Sequence, residues 1–305
     1  MVVFTPACIV CNLKMSDAPG VSLSPSLSVS IVVYFPDAAW LATTLETLVA
    51  ALSHARHAGA MRRATICLVD NQTLAAASPY SAQLESACEE FGWIDAVSIA
   101  GHGNIGYGRA NNLAIARCTD ADFHLVLNPD VSVNADAITN ALHYLQKNID
   151  CAMVSPVATA PDGQALYLVK RFPEIFTLLL RGFASASIRQ RHRARLDAYE
   201  RRETSFDAGL SDAEIVSGCF MLIRREALAR VGGFDPAFFL YFEDFDLSVR
   251  IIKFSGIARV ADVRIVHAGG SAAAKGWRHV WWFVRSALRF YWQHGWRLPT
   301  DIVRK

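Results

Sequence analysis

Three polar sites in this sequence fall where an apolar, strand-like run ends. Asp70 follows Ala64 to Val69 (ATICLV), and the glycine-rich stretch Gly101 to Gly108 (GHGNIGYG) follows Ala96 to Ile99. Asp130 follows Phe123 to Leu127 (FHLVL) in the triplet Asn128-Pro129-Asp130. In an open α/β sheet, ligands bind outside the carboxyl ends of the strands, so the three point to one rim. A carboxylate such as Asp130 at a buried strand end suits a hard divalent cation, because Mg²⁺ is held by one or two carboxylates together with substrate phosphates. Asn-Pro-Asp is also ordinary turn vocabulary and gains weight only in company. Further on, Tyr241-Phe242-Glu243-Asp244-Phe245-Asp246 crowds three carboxylates into four positions at a predicted helix start. Like charges that close push at least one pKa upward, which suits a general base. Simple complementing of the helix dipole is the alternative. His267, after the run Val263 to Val266, is a candidate metal or diphosphate contact, or a structural hydrogen-bonder.

GHGNIG also matches GxGxxG through Gly101, Gly103 and Gly106. A dinucleotide fingerprint belongs on the first βα turn, with an acid ending the next strand. Here it follows the third strand, and the first turn (YFPDAAW) has no glycine, which disfavours a dehydrogenase. The same turn lacks the Gly-rich, Lys/Arg-bearing phosphate loop expected of a nucleotidyltransferase.

The elements that must carry these groups alternate. Val29 to Tyr34 (VSIVVY) has the β-branched, apolar pattern of a strand buried on both faces of a parallel sheet. Leu41, Leu45, Leu48 and Leu52 recur at helical spacing from Asp37 towards Gly59. Further helices are predicted over Ser81 to Phe91, Arg109 to Arg117 and Ala135 to Lys147, with a strand at Cys151 to Ser155. Strands alternating with helices predict an α/β fold, a doubly wound and mostly parallel sheet with helices on both faces. A less regular stretch runs to about Leu210. Within it, Arg181 to Arg202 holds seven arginines and reads as a helix or mobile loop with a solvated face. Ile215 to Ile223 is strand-like, Arg224 to Arg230 a short helix and Glu243 to Phe254 a helix.

The order of motifs resembles a family 2 glycosyltransferase of the GT-A fold, in the bacterial rhamnosyltransferase-like branch. The matching segments are SIVVYF, VDN (69–71), GNIGYGRANN (103–112), LNPD (127–130), SGCFMLIRREAL (217–228), VGGFDPAFFLYFEDFDLSVR (231–250) and HAGGS (267–271). The resemblance implies that Tyr34 and Phe35 line the nucleotide base and that Asp70 contacts it. It implies that Asn104, Gly106, Asn111 and Asn128 line the nucleotide-sugar cleft. Asp130 matches the last acid of the family's DxD motif, reaching Mg²⁺ or Mn²⁺ on the donor diphosphate, with His267 as a second contact. The first acid of that motif is replaced by Asn128. Asp244 matches the catalytic base, with Gly218, Glu243, Asp246 and Arg250 as acceptor or supporting residues. The implied reaction is inverting transfer of a sugar, L-rhamnose from dTDP-rhamnose, to a polyprenyl-diphosphate-linked or glycan acceptor. UDP- or GDP-sugars, or a non-catalytic nucleotide-sugar-binding role, are the alternatives.

The implied organisation is a tail at 1–27, a glycosyltransferase domain at 28–271 divided at 130 into nucleotide-sugar and acceptor halves, and a C-terminal helix at 272–305. Met15 is a candidate start, and the Cys8/Cys11 pair lacks the second ligand pair of a zinc site. Over 305 residues the net charge is +2, with 52% hydrophobic and 19% charged residues, which excludes a disordered chain and a strongly basic nucleic-acid binder. Seven scattered cysteines suit reduced thiols. No apolar run approaches the roughly 20 residues of a membrane span. The expected location is cytoplasmic, peripheral on the inner face of the cell membrane. In Trp277 to Trp296, Arg278, Arg285 and Arg289 fall within about 40° of one another on an aromatic helix. That pattern suits an anionic headgroup layer, or packing on the core or a second subunit as a homodimer.

Overall fold

The structure, a computed structural model, describes residues 24–72, 74–269 and 276–295. Cys8, Cys11, Met15, Gly270, Ser271 and Trp296 lie outside the described residues.

The first half is a run of βα units: β1 (Ser26–Val33), α1 (Ala38–His57), β2 (Arg63–Asp70), α2 (Ser81–Cys88), β3 (Ile94–Ile99), α3 (Tyr107–Arg117) and β4 (Phe123–Leu127). β3, β2, β1 and β4 lie side by side, all parallel. β1 begins three residues earlier than its apolar run because its serines find partners. The Ser26 N–H and hydroxyl both donate to Asp122 Oδ2, at 2.7 and 2.8 Å. Ser28 and Ser30 flank the ring of fully buried His124, at 2.7 and 3.0 Å. Burial pushes the His124 pKa down to about 3, so the imidazole is neutral and bonds both hydroxyls. β1 ends one residue before Tyr34. The Asn71 N–H closes the ladder on the Val33 carbonyl, and the chain turns at Phe35, whose φ is +47°.

The second half contains β5 (Val131–Val133), α4 (Ala137–Lys147), β6 (Cys151–Thr159), β7 (Ala165–Leu166) and β8 (Val169–Lys170). Then come α5 (Ile175–Phe183), α6 (Ala186–Arg191), α7 (Arg193–Tyr199), β9 (Ile215–Val216), β10 (Phe220–Arg224), α8 (Arg225–Val231), α9 (Glu243–Ile252), β11 (Gly256–His267) and α10 (Gly276–His294). The sheet continues β4-β10-β6-β11-β5, with β10 antiparallel to both neighbours. One face of the sheet is covered by the leucines of α1 and by α4, the other by α3, α8 and α9. Burying a leucine of this kind stabilises by roughly 1.5–3 kcal/mol.

Three local expectations are corrected. The single strand at Ile215 to Ile223 is two, because the Gly218 N–H donates to the Asp244 carboxylate instead of to a ladder. β5 forms directly after Asp130, where no strand is predicted. The arginine-rich segment is helical but not uniformly solvated. Arg201 is 7% exposed and lies 3.0, 3.4 and 3.7 Å from Asp212, Glu203 and Glu214.

Candidate active site

A cavity of about 480 Å³ opens at the carboxyl ends of the first strands. On one side it is lined by Tyr34, Asn71, Asn104, Gly106 and Tyr107, and on the other by Phe239 and by Trp277, Arg278, His279 and Trp282 of α10. The glycine-rich loop is held by amide groups. Asn104 Oδ1 accepts from the Gly106 N–H and from Asn71 Nδ2, both at 3.1 Å, and Asn71 Oδ1 accepts from the Ile105 N–H at 3.0 Å. Gly106 sits at φ +92°, and a Cβ there would strike the Phe239 carbonyl oxygen, which also accepts from the Tyr107 N–H at 3.1 Å. Only glycine serves at that position.

Tyr107 joins this loop to the rest of the rim. Its hydroxyl lies 3.0 Å from Asn128 Oδ1 and 2.8 Å from the Gly218 carbonyl, and its one proton serves one of them at a time. Burial, with the Glu243 charge nearby, holds the phenol well above its ordinary pKa. Behind Gly218 stands Asp244 on the first turn of α9. Its Oδ2 accepts from the Gly218 N–H at 3.0 Å and its Oδ1 from the Phe245 N–H at 2.9 Å. Burial raises its pKa, and the Gly218 N–H and the Lys170 charge oppose the rise. Neighbouring Glu243 is 6% exposed, with Oε2 unpartnered. Burial, then the Asp244 charge, pushes its pKa up to about 8. A carboxylate with a raised pKa is what proton abstraction near neutral pH requires; Asp244 does not itself line the cavity and is joined to it through Gly218 and Tyr107.

Asp130 and His267 meet because β5 and β11 pair His267 with Val131, and the Ala268 N–H donates to the Asp130 carbonyl at 3.0 Å. Asp130 Oδ1 is buried without a hydrogen bond, 3.3 Å from His267 Nε2. Burial opposes charge on His267, but Asp130 and Cys219 outweigh it and raise the pKa to about 10. No group of three or more His, Cys, Asp or Glu side chains placed to hold a metal ion occurs among the described residues. The Asp130 carboxylate, ion-paired with His267 at 3.3 Å, fits a divalent cation that takes most of its ligands from a diphosphate, with His267 able to join it once deprotonated.

Several expected site residues take other places. Asp70 is fully buried, with one oxygen accepting from the Gln72 N–H (3.0 Å) and the other from the Ser78 hydroxyl (2.7 Å). It shapes the loop and does not line the cavity. Asn111 is fully buried too, accepting from the Ser30 hydroxyl at 2.5 Å and donating to the Tyr107 carbonyl at 3.1 Å. Phe35 is 72% exposed and stacks edge-on against Tyr34 at 4.8 Å, outside the lining. Asp246 is buried between Arg250 (2.6 Å) and His294 (2.8 Å), a brace between α9 and α10. Arg289, on the predicted basic stripe of α10, pairs with Asp235 at 3.0 Å, as packing on the core would have it. Asn71, Tyr107 and the α10 residues of the cavity were missed. Asn71 and Tyr107 lie inside the quoted motifs, whereas only the fold brings α10 over the cavity.

No family model matches the chain. Rhamnosyltransferase WbbL of Escherichia coli (strain K12) is 27% identical over 222 residues, 68% of this chain and 76% of that protein. The N-acetylglucosaminyl-diphospho-decaprenol L-rhamnosyltransferase of Mycobacterium tuberculosis (strain CDC 1551 / Oshkosh) is 28% identical over 160 residues, 49% of this chain and 51% of that one. Among solved structures, GalNAc-T7 with UDP, GalNAc and Mn²⁺ superposes with a TM-score of 0.54 at 15% identity, over 80% of this chain and 43% of that chain. The fold is that of the GT-A glycosyltransferases, and the curated relatives support a glycosyltransferase. Within that class, the curated relatives support a family 2, rhamnosyltransferase-like enzyme of cell-envelope glycan synthesis.

Proposed function

We propose that the chain transfers L-rhamnose from dTDP-rhamnose to a lipid-linked or polysaccharide acceptor in O-antigen or cell-envelope glycan synthesis, with inversion at the anomeric carbon. The observation that carries this reading is the contact of Tyr107 with both Asn128 and Gly218, which ties the cavity loop to the Asp244 carboxylate. The rhamnosyltransferase relatives support the sugar, and the decaprenol-linked relative supports a lipid-diphosphate acceptor. The donor nucleotide lies against Tyr34, Asn71 and Asn104. Asp244 takes the proton of the acceptor hydroxyl as its oxygen attacks the anomeric carbon, and the bond to the nucleoside diphosphate breaks on the opposite face. Asp130 and His267 would hold a divalent cation, whose charge would offset that growing on the leaving diphosphate. Arg278 and His279 of α10 line the cavity.

No helix among the described residues is long and apolar enough to cross a membrane. α10 buries Ser286, Phe290 and Tyr291 but exposes Trp277, Trp281, Val284 and Leu288, which supports a peripheral seat on the inner face of the cell membrane.

Thermal-shift measurements with dTDP-, UDP- and GDP-sugars, with and without Mn²⁺, test the donor assignment. A ligand that binds only the native state raises stability by mass action. A cation-dependent shift with dTDP-rhamnose alone is expected. A shift only with UDP- or GDP-sugars moves the assignment to that donor, and no shift with any of them removes it.

A further inference from the structure

Two thiols meet in the core on the α3 face of the sheet. Cys67, in the middle of β2, and Cys118, which caps the C-terminus of α3, pack in one cluster with Val32, Val69, Ala110 and Ala114. Their sulfurs lie 3.2 Å apart, in hydrogen-bond contact, although 51 positions separate them in the chain. A disulfide bond is about 2.05 Å long, so the remaining approach is within the reach of side-chain rotation.

The two thiols are not equivalent. Cys67 is fully buried, whereas Cys118 is 8% exposed and forms part of the wall of an open cavity of about 230 Å³, together with Arg63, Arg117 and Asp120. The hydrogen bond from Cys67, then the charges of Arg117 and Arg225, hold the Cys118 pKa below that of an ordinary thiol, against burial and the Asp120 charge. The same hydrogen bond, with burial, pushes the Cys67 pKa up. Cys67 thus keeps its proton and donates it to a Cys118 sulfur of thiolate character. A solvent-reachable thiolate backed by a second thiol that solvent does not reach is the arrangement of an attacking and a resolving cysteine.

We infer that Cys67 and Cys118 form an oxidation site that closes reversibly to a disulfide, with Cys118 attacking hydrogen peroxide from the cavity and Cys67 resolving the product. The Cys118 thiolate takes one oxygen of the peroxide as a sulfenic acid, the O–O bond breaks and hydroxide leaves. Cys67 Sγ then attacks Cys118 Sγ. The S–S bond forms, the S–O bond breaks, and the sulfenic oxygen leaves as water with the Cys67 proton. The hydroxide takes up the proton that Cys118 had released, so two thiols lose two electrons and one hydrogen peroxide becomes two waters. A dithiol reductant reverses the bond by exchange. β2 ends one residue before Asn71 and α3 begins one residue after Gly106, and both residues line the cavity of the candidate active site. The bond therefore ties together the two elements that stand behind that wall. The inference is independent of the transferase reading.

Peptide mapping of the intact chain after treatment with hydrogen peroxide tests the inference without donor, acceptor or any variant. After denaturation and alkylation of the remaining thiols, the peptides carrying Cys67 and Cys118 should be found joined, about 2 Da lighter than their sum, and dithiothreitol should separate them. The order of attack is read from two variants oxidised in the presence of dimedone, which traps sulfenic acids. Cys67→Ser should carry at least tenfold more adduct on Cys118 than Cys118→Ser carries on Cys67. Serine is close to cysteine in size and keeps a hydrogen-bonding group beside the surviving sulfur. Recovery of Cys67 and Cys118 as alkylated thiols from the oxidised intact chain overturns the inference, as does a link from Cys118 to any other cysteine. Equal trapping on the two residues overturns the assignment of Cys118 as the attacking sulfur.

Discussion

The proposed donor side and the proposed base side of the site are built on opposite principles. Around the cavity loop nearly every polar group is spoken for: Asn71, Asn104, the Gly106 N–H and both oxygens of Asp70 all have partners within the loops. At the start of α9 and the end of β4 the reverse holds. Glu243 Oε2 is buried without a partner, Asp130 Oδ1 has only the His267 ring beside it at 3.3 Å, and Asp244 has a raised pKa. A saturated network fixes shape, whereas unsatisfied buried carboxylates store reactivity at a cost in stability. Substitutions on the donor side should therefore act through stability and donor binding, and those on the base side through rate and pH.

The largest break comes at the base. Asp244→Asn should cut kcat by roughly 10²–10⁴-fold, the range for losing a general base, while the donor-induced thermal shift persists. A variant that keeps full activity would place the base elsewhere. On the donor side, Gly106→Ala forces a left-handed alanine against the Phe239 carbonyl. The expected cost is on the order of 2 kcal/mol, read as a lower Tm, together with loss of the donor shift.

pH sharpens the same contrast. Glu243 titrates near pH 8 in the folded chain against an ordinary value of 4.5. The folded state thus holds that proton more tightly than the unfolded one. Its contribution to stability is complete below about pH 4.5 and is lost as pH rises through about 8. Glu243→Gln should flatten the fall in Tm over that window. An unchanged slope would mean that Glu243 is not buried as described. The smallest effect is expected at Asp37, whose carboxylate accepts from the Ala39 and Trp40 N–H groups at the start of α1. Asp37→Ala should cost about 1 kcal/mol in denaturant titration without altering transfer.

Much of this was legible in the chain. Apolar runs and leucine spacing located β1, α1, β2 and β4 to within a few residues, since burial on both faces of a sheet writes itself into consecutive positions. Asp244 and the Asp130–His267 pair were marked by motif, and the fold brings the pair together. Asp70 and Asn111 were read as cleft residues because sequence locates a strand end or a helix turn but not the direction of its side chain. Tyr107 could not be singled out, since its role depends on Gly218, 111 positions away. Lys170 carries no local pattern at all, and its effect on Asp244 depends on short strands and helices between 165 and 216 whose positions are set by packing.

The central claim is single-site inverting transfer with Asp244 as the base. The most direct test is to run the intact chain with radiolabelled dTDP-rhamnose and a polyprenyl-diphosphate-linked sugar, then determine the anomeric configuration of the product by NMR. Label should appear in the lipid fraction with a configuration opposite to that of the donor. Retained configuration, or no transfer from dTDP-rhamnose, would contradict it.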